Sequence, residues 1–116
     1  MIPRLLIVVD TDPRKSARPA EAVRIAAGIA AWKKAEVGLY LRGPGVLALS
    51  EFTDELLEED NYTRYLPILG EHLSRVLVQA GAVELRAVGQ PSLPLQEINE
   101  RELAQLAGRC QCILRF

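Results

Sequence analysis

An uninterrupted apolar run near the start of the chain, residues 5–9 (LLIVV), constrains the fold more than any other stretch. Runs of this kind are typical of strands buried on both faces, as in parallel sheets that helices cover on two sides. A polar turn, Asp10-Thr11-Asp12-Pro13, follows at once, and a long segment with helical spacing comes after it. The order of strand, polar loop and helix predicts an α/β domain with a site at the carboxyl edge of its sheet.

The size and composition of the chain predict one globular domain over residues 1–116. Hydrophobic residues make up 49% of the chain and charged residues 25%, which excludes wholesale disorder. The formal net charge of −1 gives no electrostatic reason to expect a nucleic-acid or membrane partner. The apolar run is too short for a signal-peptide core or a membrane span, and two cysteines imply no oxidising compartment. We therefore expect a cytoplasmic protein.

Hydrophobic periodicity and cap residues predict the remaining elements. Helices are expected over 19–34, 46–50, 51–60 and 66–80, and from the capping box of Asn99 and Glu102 to Ala107. Strands are expected over 36–41, 82–88, 95–98 and 109–116. The helix over 19–34 is apolar on more than one face, so it is either deeply covered within the domain or partly at a subunit interface.

The loops after the first two predicted strands supply the candidate ligand-binding residues. The first of these loops contributes four polar residues that either form a site or only shape a turn, namely Asp10, Thr11, Asp12 and Ser16. In the second loop, Gly43 and Gly45 flank a proline before the short helix. The N–H groups of Gly45 and Val46 there either offer an anion site or belong to a plain turn.

Residues 51–60 (EFTDELLEED) carry six acidic side chains and no basic one. Such a run is either a solvated face, a surface for a basic partner or, less simply, a metal site. Because His72 is the only histidine and has no soft ligand near it in the sequence, we expect it at the surface. We expect neither a metal nor a resident cofactor.

Cys110 and Cys112 form the most conspicuous pair of reactive residue types in the chain. Residues two apart on a strand project to the same face, so both thiols are expected to point together. They are either two buried small hydrophobes or a pair of usable thiols. A metal would need further soft ligands that the sequence does not supply.

Four stretches, taken together, resemble the DsrE/DsrF-like family of small sulfur-relay proteins, which includes the Tus sulfur-transfer subunits. They are LLIVVDTDP with PAEAVRIAAGIA, EVGLYLRGPGV, LVQAGAVELRAV, and INERELAQLAGRCQCILRF. The resemblance implies a three-layer α/β/α sandwich with a mostly parallel sheet of four or five strands and a flavodoxin-like topology. It also implies a homo-oligomer, either a trimer or a hexamer.

The same resemblance bears on the chemistry. Family members that transfer sulfur carry a persulfide-forming cysteine at the end of the strand that follows the long amphipathic helix. An ungapped alignment from Gly81 places that position on Ala87. Cys110 and Cys112 fall instead in the last strand, where the family has core residues. The resemblance therefore implies the scaffold without its best-known chemistry.

Three functional hypotheses follow from these observations. The first is a homo-oligomeric DsrE-like accessory or binding module without thiol chemistry, with a protein as a possible partner. The second is a sulfurtransferase that uses Cys110 or Cys112. The third is a small-ligand or nucleotide-binding domain whose site is formed by residues 10–16 and 43–46, with Ala87 on a third wall.

Overall fold

A sheet of five parallel strands, in the order β4-β3-β2-β1-β5, organises the computed structural model, which describes residues 2–116. The strands are β1 (Arg4–Val9), β2 (Glu36–Leu41), β3 (Val76–Gln79), β4 (Leu95–Ile98) and β5 (Cys112–Arg115). The α-helices are α1 (Arg18–Trp32), α2 (Glu59–His72) and α3 (Glu100–Ala107), and two 3₁₀-helices cover Gly43–Leu49 and Val83–Ala87. This architecture confirms the predicted α/β class with a parallel sheet.

Helices cover the sheet on both faces, but unequally. On one face α1 and α2 pack over a core that includes Ile7, Val9 and Leu39. On the other face only α3 covers a smaller core of β1, β2 and β4 side chains, among them Leu6 and Tyr40. The connections from β1 to β4 run on the first face and the return to β5 runs on the second, as right-handed crossovers require.

The helix α1 and the strand β2 form as the sequence predicts. Buried alanines, Ala22, Ala26 and Ala30 among them, let α1 pack closely within the domain. The prediction of a deeply covered helix is thus confirmed for most of its length, whereas Trp32 at its end is 62% exposed. The strand β1 is buried on both faces, because its alternate side chains meet the two helical layers.

The acidic segment 51–60 does not form the predicted helix. Turns and bends occupy 51–58, and α2 begins only at Glu59, after a left-handed Glu58 (φ 57°). Like charges repel at helical spacing, and no basic side chain in the segment compensates them. The segment instead follows the edge of the sheet, with Leu56 buried and Phe52 exposed.

The predicted helix over 66–80 and strand over 82–88 are both wrong. The helix α2 ends at His72 with Pro67 inside it, and residues Val76–Gln79 form β3. The apolar spacing there fits both the 3.6-residue period of a helix and the two-residue period of a strand. Pairing of Leu77 with Tyr40 of β2 selects the strand. Residues Val83–Ala87 then form a 3₁₀-helix after the left-handed Gly81 (φ 74°).

The end of the chain follows the prediction more closely. The capping box is present, since the Asn99 side chain accepts from the Glu102 N–H and the Glu102 carboxylate accepts from the Asn99 N–H. The strand β4 occupies 95–98 as predicted. The last strand is shorter than predicted, because it begins at Cys112 and leaves Cys110 in the turn after α3.

Candidate functional site

A cleft of about 620 Å³ lies at the carboxyl edge of the sheet. Its walls come from three loops, each of which follows one of the strands β1, β2 and β3. The first wall is Arg14, the second consists of residues between Leu47 and Leu56, and the third is the segment 86–89. Parallel strands bring their carboxyl ends to one edge, which is why loops distant in sequence meet there.

The second wall is fixed by the entry of the chain from β2. The Arg42 N–H donates to the Val9 carbonyl oxygen at 2.8 Å, and Gly45 packs against the same carbonyl. The 3₁₀-helix Gly43–Leu49 then turns the chain toward the cleft. At its end the Ser50 hydroxyl donates to the Leu47 carbonyl oxygen at 2.6 Å, which holds the start of the acidic segment in place.

Glu51 joins the second wall to the third. Its N–H donates to the Val88 carbonyl oxygen at 2.8 Å, and its carboxylate accepts from the Gln90 N–H at 3.0 Å. The chain passes close by at Gly89 (φ 72°), where a Cβ would lie 2.9 Å from the Glu51 Oε1 atom. A side chain at this position would be strained by the positive φ and would displace the Glu51 carboxylate, and glycine avoids both costs.

On the first wall, Asp12 holds Arg14. The Asp12 carboxylate accepts from the Arg14 backbone N–H and from its guanidinium at 2.9–3.1 Å. These hydrogen bonds lower the pKa of the Asp12 carboxyl group. Asp12 is therefore a positioning residue for Arg14.

Two of the other three candidates of the first loop form hydrogen bonds within the domain. The Asp10 carboxylate accepts from the Arg115 guanidinium at 2.9 Å, and the Ser16 hydroxyl accepts from the Arg18 N–H at 3.1 Å. The Thr11 hydroxyl is buried and finds no hydrogen-bond partner among residues 2–116. These three side chains are not among those that line the cleft.

The glycines of the second loop have their N–H groups engaged. The Gly43 N–H donates to the Gln79 side-chain oxygen at 2.8 Å, and the Gly45 N–H donates to the Arg42 carbonyl oxygen at 2.9 Å. Of the two N–H groups in the predicted anion site, those of Gly45 and Val46, the Gly45 N–H is already used within the turn. These contacts favour the interpretation as a plain turn.

Ala87 does line the cleft, but not at the end of a strand. The ungapped alignment that placed the family's cysteine on Ala87 relied on a strand over 82–88, and the structure has a 3₁₀-helix there. The strand after α2 is β3, which ends at Gln79 and is followed by Ala80. Neither of those residues is a cysteine.

Both cysteines lie at the opposite, amino edge of the sheet. Cys112 begins β5 and pairs with Leu5, near the start of β1. Cys110 is half-buried in the turn before it, where its thiol donates to the Leu106 carbonyl oxygen at 3.4 Å. The prediction that both thiols point together from one strand is wrong, because Cys110 lies outside β5. Of the two alternatives, burial of both thiols does not hold, since Cys112 is exposed.

The two thiols should differ in reactivity. We expect a maleimide reagent at neutral pH to modify Cys112 about tenfold faster than Cys110. Cys112 is exposed, whereas burial raises the pKa of Cys110 and so lowers its thiolate fraction. Mass spectrometry of the Cys110→Ser and Cys112→Ser variants measures each rate separately. Equal rates would contradict the structural assignment.

Residues 2–116 were also searched for groups of metal-ligating side chains and for helices that could span a membrane. No group of three or more histidine, cysteine, aspartate or glutamate side chains is arranged to hold a metal ion within this part of the chain. None of its helices has both the length and the apolar character needed to cross a membrane. His72 is exposed at the end of α2, as predicted.

The cleft contains residues that sequence analysis did not single out, among them Arg14, Phe52 and Arg86. Phe52 had one signal in the sequence, because it is a large apolar residue inside an acidic run. Arg14 and Arg86 had no such signal in the sequence, because only the fold brings them together at the carboxyl edge of the sheet.

The strand order, the two helical layers and the carboxyl-edge cleft define an α/β domain with a five-stranded parallel sheet, a fold of DsrE-like type. Among solved structures, the crystal structure of the YchN protein from Escherichia coli has this fold, with a TM-score of 0.78. The similarity covers 99% of this chain and 100% of that one at 19% identity, so it establishes the fold alone. No family model and no curated protein sequence matches the chain.

Proposed function

We propose that this chain is a cytoplasmic, DsrE-like binding module whose carboxyl-edge cleft binds a partner, without thiol chemistry. The observation that carries the proposal is the separation of the cleft from both thiols. The cleft lies beyond the carboxyl ends of β1–β3, whereas Cys112 pairs at the amino end of β1. Sulfur transfer needs a thiolate within reach of the bound acceptor.

The groups that line the cleft support binding over catalysis. Its floor is apolar, formed by Leu47, Leu56 and Val88, which are between 3% and 7% exposed. Its polar residues are carboxylates and guanidinium groups together with Ser50, whose hydroxyl is occupied by the Leu47 carbonyl. Apolar floors with a charged rim are typical of binding sites.

Chemical-shift mapping tests this proposal directly. Isotope-labelled protein is titrated with a panel of nucleotides, flavins, phosphate and a random-sequence peptide mixture. We expect amide signals of residues 50–56 and 86–89 to shift with at least one member, and to shift equally in a Cys110→Ser/Cys112→Ser variant. Shifts confined to residues near Cys110 and Cys112, or no shift at all, would contradict it.

We further propose that the protein acts as a homo-oligomer, as the family resemblance implies. Supporting this proposal, α3 alone covers the second face of the sheet and none of its residues is fully buried. Ile113 of β5 is 45% exposed on that face, and β5 is an edge strand that pairs only with β1 within residues 2–116. Another copy would cover both features.

Light scattering after size-exclusion chromatography tests the assembly. We expect a trimer or hexamer at micromolar concentration, and dissociation by Ile113→Glu because a charge would then be buried without a partner. Trp32→Glu is the matched control, since Trp32 is exposed at the end of α1 on the other face. A wild-type monomer would contradict the proposal.

A further inference from the structure

The charge of the acidic segment is not neutralised within the domain. Six carboxylates lie between residues 51 and 60, and no ion pair within residues 2–116 includes any of them. Three of the six line the cleft, namely Glu51, Asp54 and Glu55. Because the segment is irregular rather than helical, it presents these groups along the rim of the cleft.

The two guanidinium groups of the cleft offset this charge only in part. Arg14 is already engaged in its ion pair with Asp12 at 2.9 Å. That leaves Arg86 against three carboxylates, and Glu84 lies in the same 3₁₀-helix as Arg86. The field of the cleft is therefore negative, which attracts cations and disfavours nucleotides or free phosphate.

The cleft also carries an exposed apolar side chain. Phe52 is 74% exposed among the acidic residues of the rim, above the apolar floor formed by Leu47 and Leu56. An aromatic side chain at this position is available to a partner and contributes nothing to the core. Exposed aromatics of this kind, once covered, are frequent hot spots of binding.

A separate cavity beside the cleft lies against α2. This cavity, of about 250 Å³, shares Glu51 with the cleft and is lined by Leu66 and Pro67 of α2 and by Leu93. Because both cavities border Glu51, an occupant that contacts the two has to extend past that residue, and we call the two cavities together the groove. Such a groove fits an extended polypeptide segment better than a compact small molecule.

We propose that the occupant of this groove is a cationic segment of a partner protein with an apolar anchor. Lysine or arginine side chains of the segment pair with Asp54 and Glu55, and its apolar side chain packs on Phe52. The hydrogen bonds of Glu51 to Val88 and Gln90 order the walls before binding, which lowers the entropic cost of association. The inference rests on the proposed function, because it names the partner of the same cleft.

Fluorescence anisotropy tests this inference with a labelled synthetic peptide of alternating lysine and leucine. The same peptide with glutamate for lysine, and one with serine for leucine, serve as controls. We expect the lysine–leucine peptide to bind, and to bind more weakly as salt rises, because screening reduces charge attraction. Binding of the other two should be at least about tenfold weaker.

Matched variants locate the binding. We expect Phe52→Ala to weaken binding of the lysine–leucine peptide by about tenfold or more. Glu55→Gln should weaken it by a few-fold. Trp32→Ala and Glu71→Gln are the controls, because both residues are exposed and neither lines the cleft. They should leave the affinity unchanged.

The outcomes separate this inference from the proposed function. If the glutamate peptide or phosphate shifts the cleft signals and the lysine–leucine peptide does not, the cleft binds but the inference is wrong. Equal weakening by Glu55→Gln and Glu71→Gln would also overturn it, since the attraction would then be non-specific. If no probe shifts the cleft signals, both proposals fail.

Discussion

Replacing Gly45 with alanine should lower the free energy of unfolding by about 3 kcal/mol, because the added methyl group has no space. A Cβ on Gly45 would overlap the Val9 carbonyl oxygen and would lie 3.0 Å from the carbon of that group. The neighbour is the backbone of a buried strand, which cannot move aside as the tip of a side chain can. The loop cannot retreat either, since the Arg42 N–H binds the same carbonyl.

Gly28→Ala is the matched control for this change. Gly28 lies inside α1, and a Cβ there would meet nothing within 4 Å. Alanine should stabilise the helix by roughly 0.5–1 kcal/mol, because it restricts the unfolded chain more than glycine does. Urea unfolding measures both variants, and a Gly45→Ala cost below about 1 kcal/mol would show that β1 and the second loop are farther apart.

The Gly45→Ala variant also connects the fold to the site. The 3₁₀-helix that contains Gly45 leads directly to Ser50 and Glu51, which hold the second and third walls together. Displacing that helix should therefore weaken peptide binding even at temperatures where the variant remains folded. Gly28→Ala should leave binding unchanged.

Alkaline pH should destabilise the protein through Tyr62. This side chain is 1% exposed on α2, and burial raises its pKa above the ordinary value of 10.0. In the unfolded chain the hydroxyl ionises near pH 10, while the folded protein keeps its proton. Above that pH the unfolded state binds fewer protons, so stability falls by about 1.4 kcal/mol per pH unit until the folded pKa is reached.

The Tyr62→Phe variant should remove this loss. The Tyr62 hydroxyl has no hydrogen-bond partner among residues 2–116, so at neutral pH the variant should be as stable as the wild type or more stable by about 1 kcal/mol. Tyr65→Phe is the control on the same helix, where the side chain is half-buried. Guanidinium unfolding between about pH 9 and 11.5 measures the difference. Parallel pH profiles for Tyr62→Phe and the wild type would contradict the burial of this hydroxyl.

The wrong predictions between residues 66 and 88 have a common physical reason. Apolar residues at 66, 69, 73, 76, 77 and 80 fit a helix, yet 76–78 also alternate as a strand does. Local spacing does not distinguish these, whereas pairing of Leu77 with Tyr40 does. Once β3 took 76–79, residues 83–87 formed a 3₁₀-helix, and the alignment of Ala87 with a strand end no longer held.

The sequence by itself determined the helices and strands whose short-range patterns agree with their tertiary packing. The run at residues 5–9, the alanine-rich helix, the strand Glu36–Leu41 and the Asn99 capping box all follow from short-range patterns. For these elements the local signals and the tertiary packing favour the same secondary structure. The α/β class follows from their order.

Only the tertiary structure decided which residues line the cleft at the carboxyl edge of the sheet. Arg14, Phe52 and Arg86 belong to three loops, and the parallel sheet brings those loops to one edge. The same sheet places Cys112 at the other edge, because β5 runs parallel to β1 and begins where β1 begins. The distance between thiol and cleft is thus a consequence of strand direction, which no local pattern encodes.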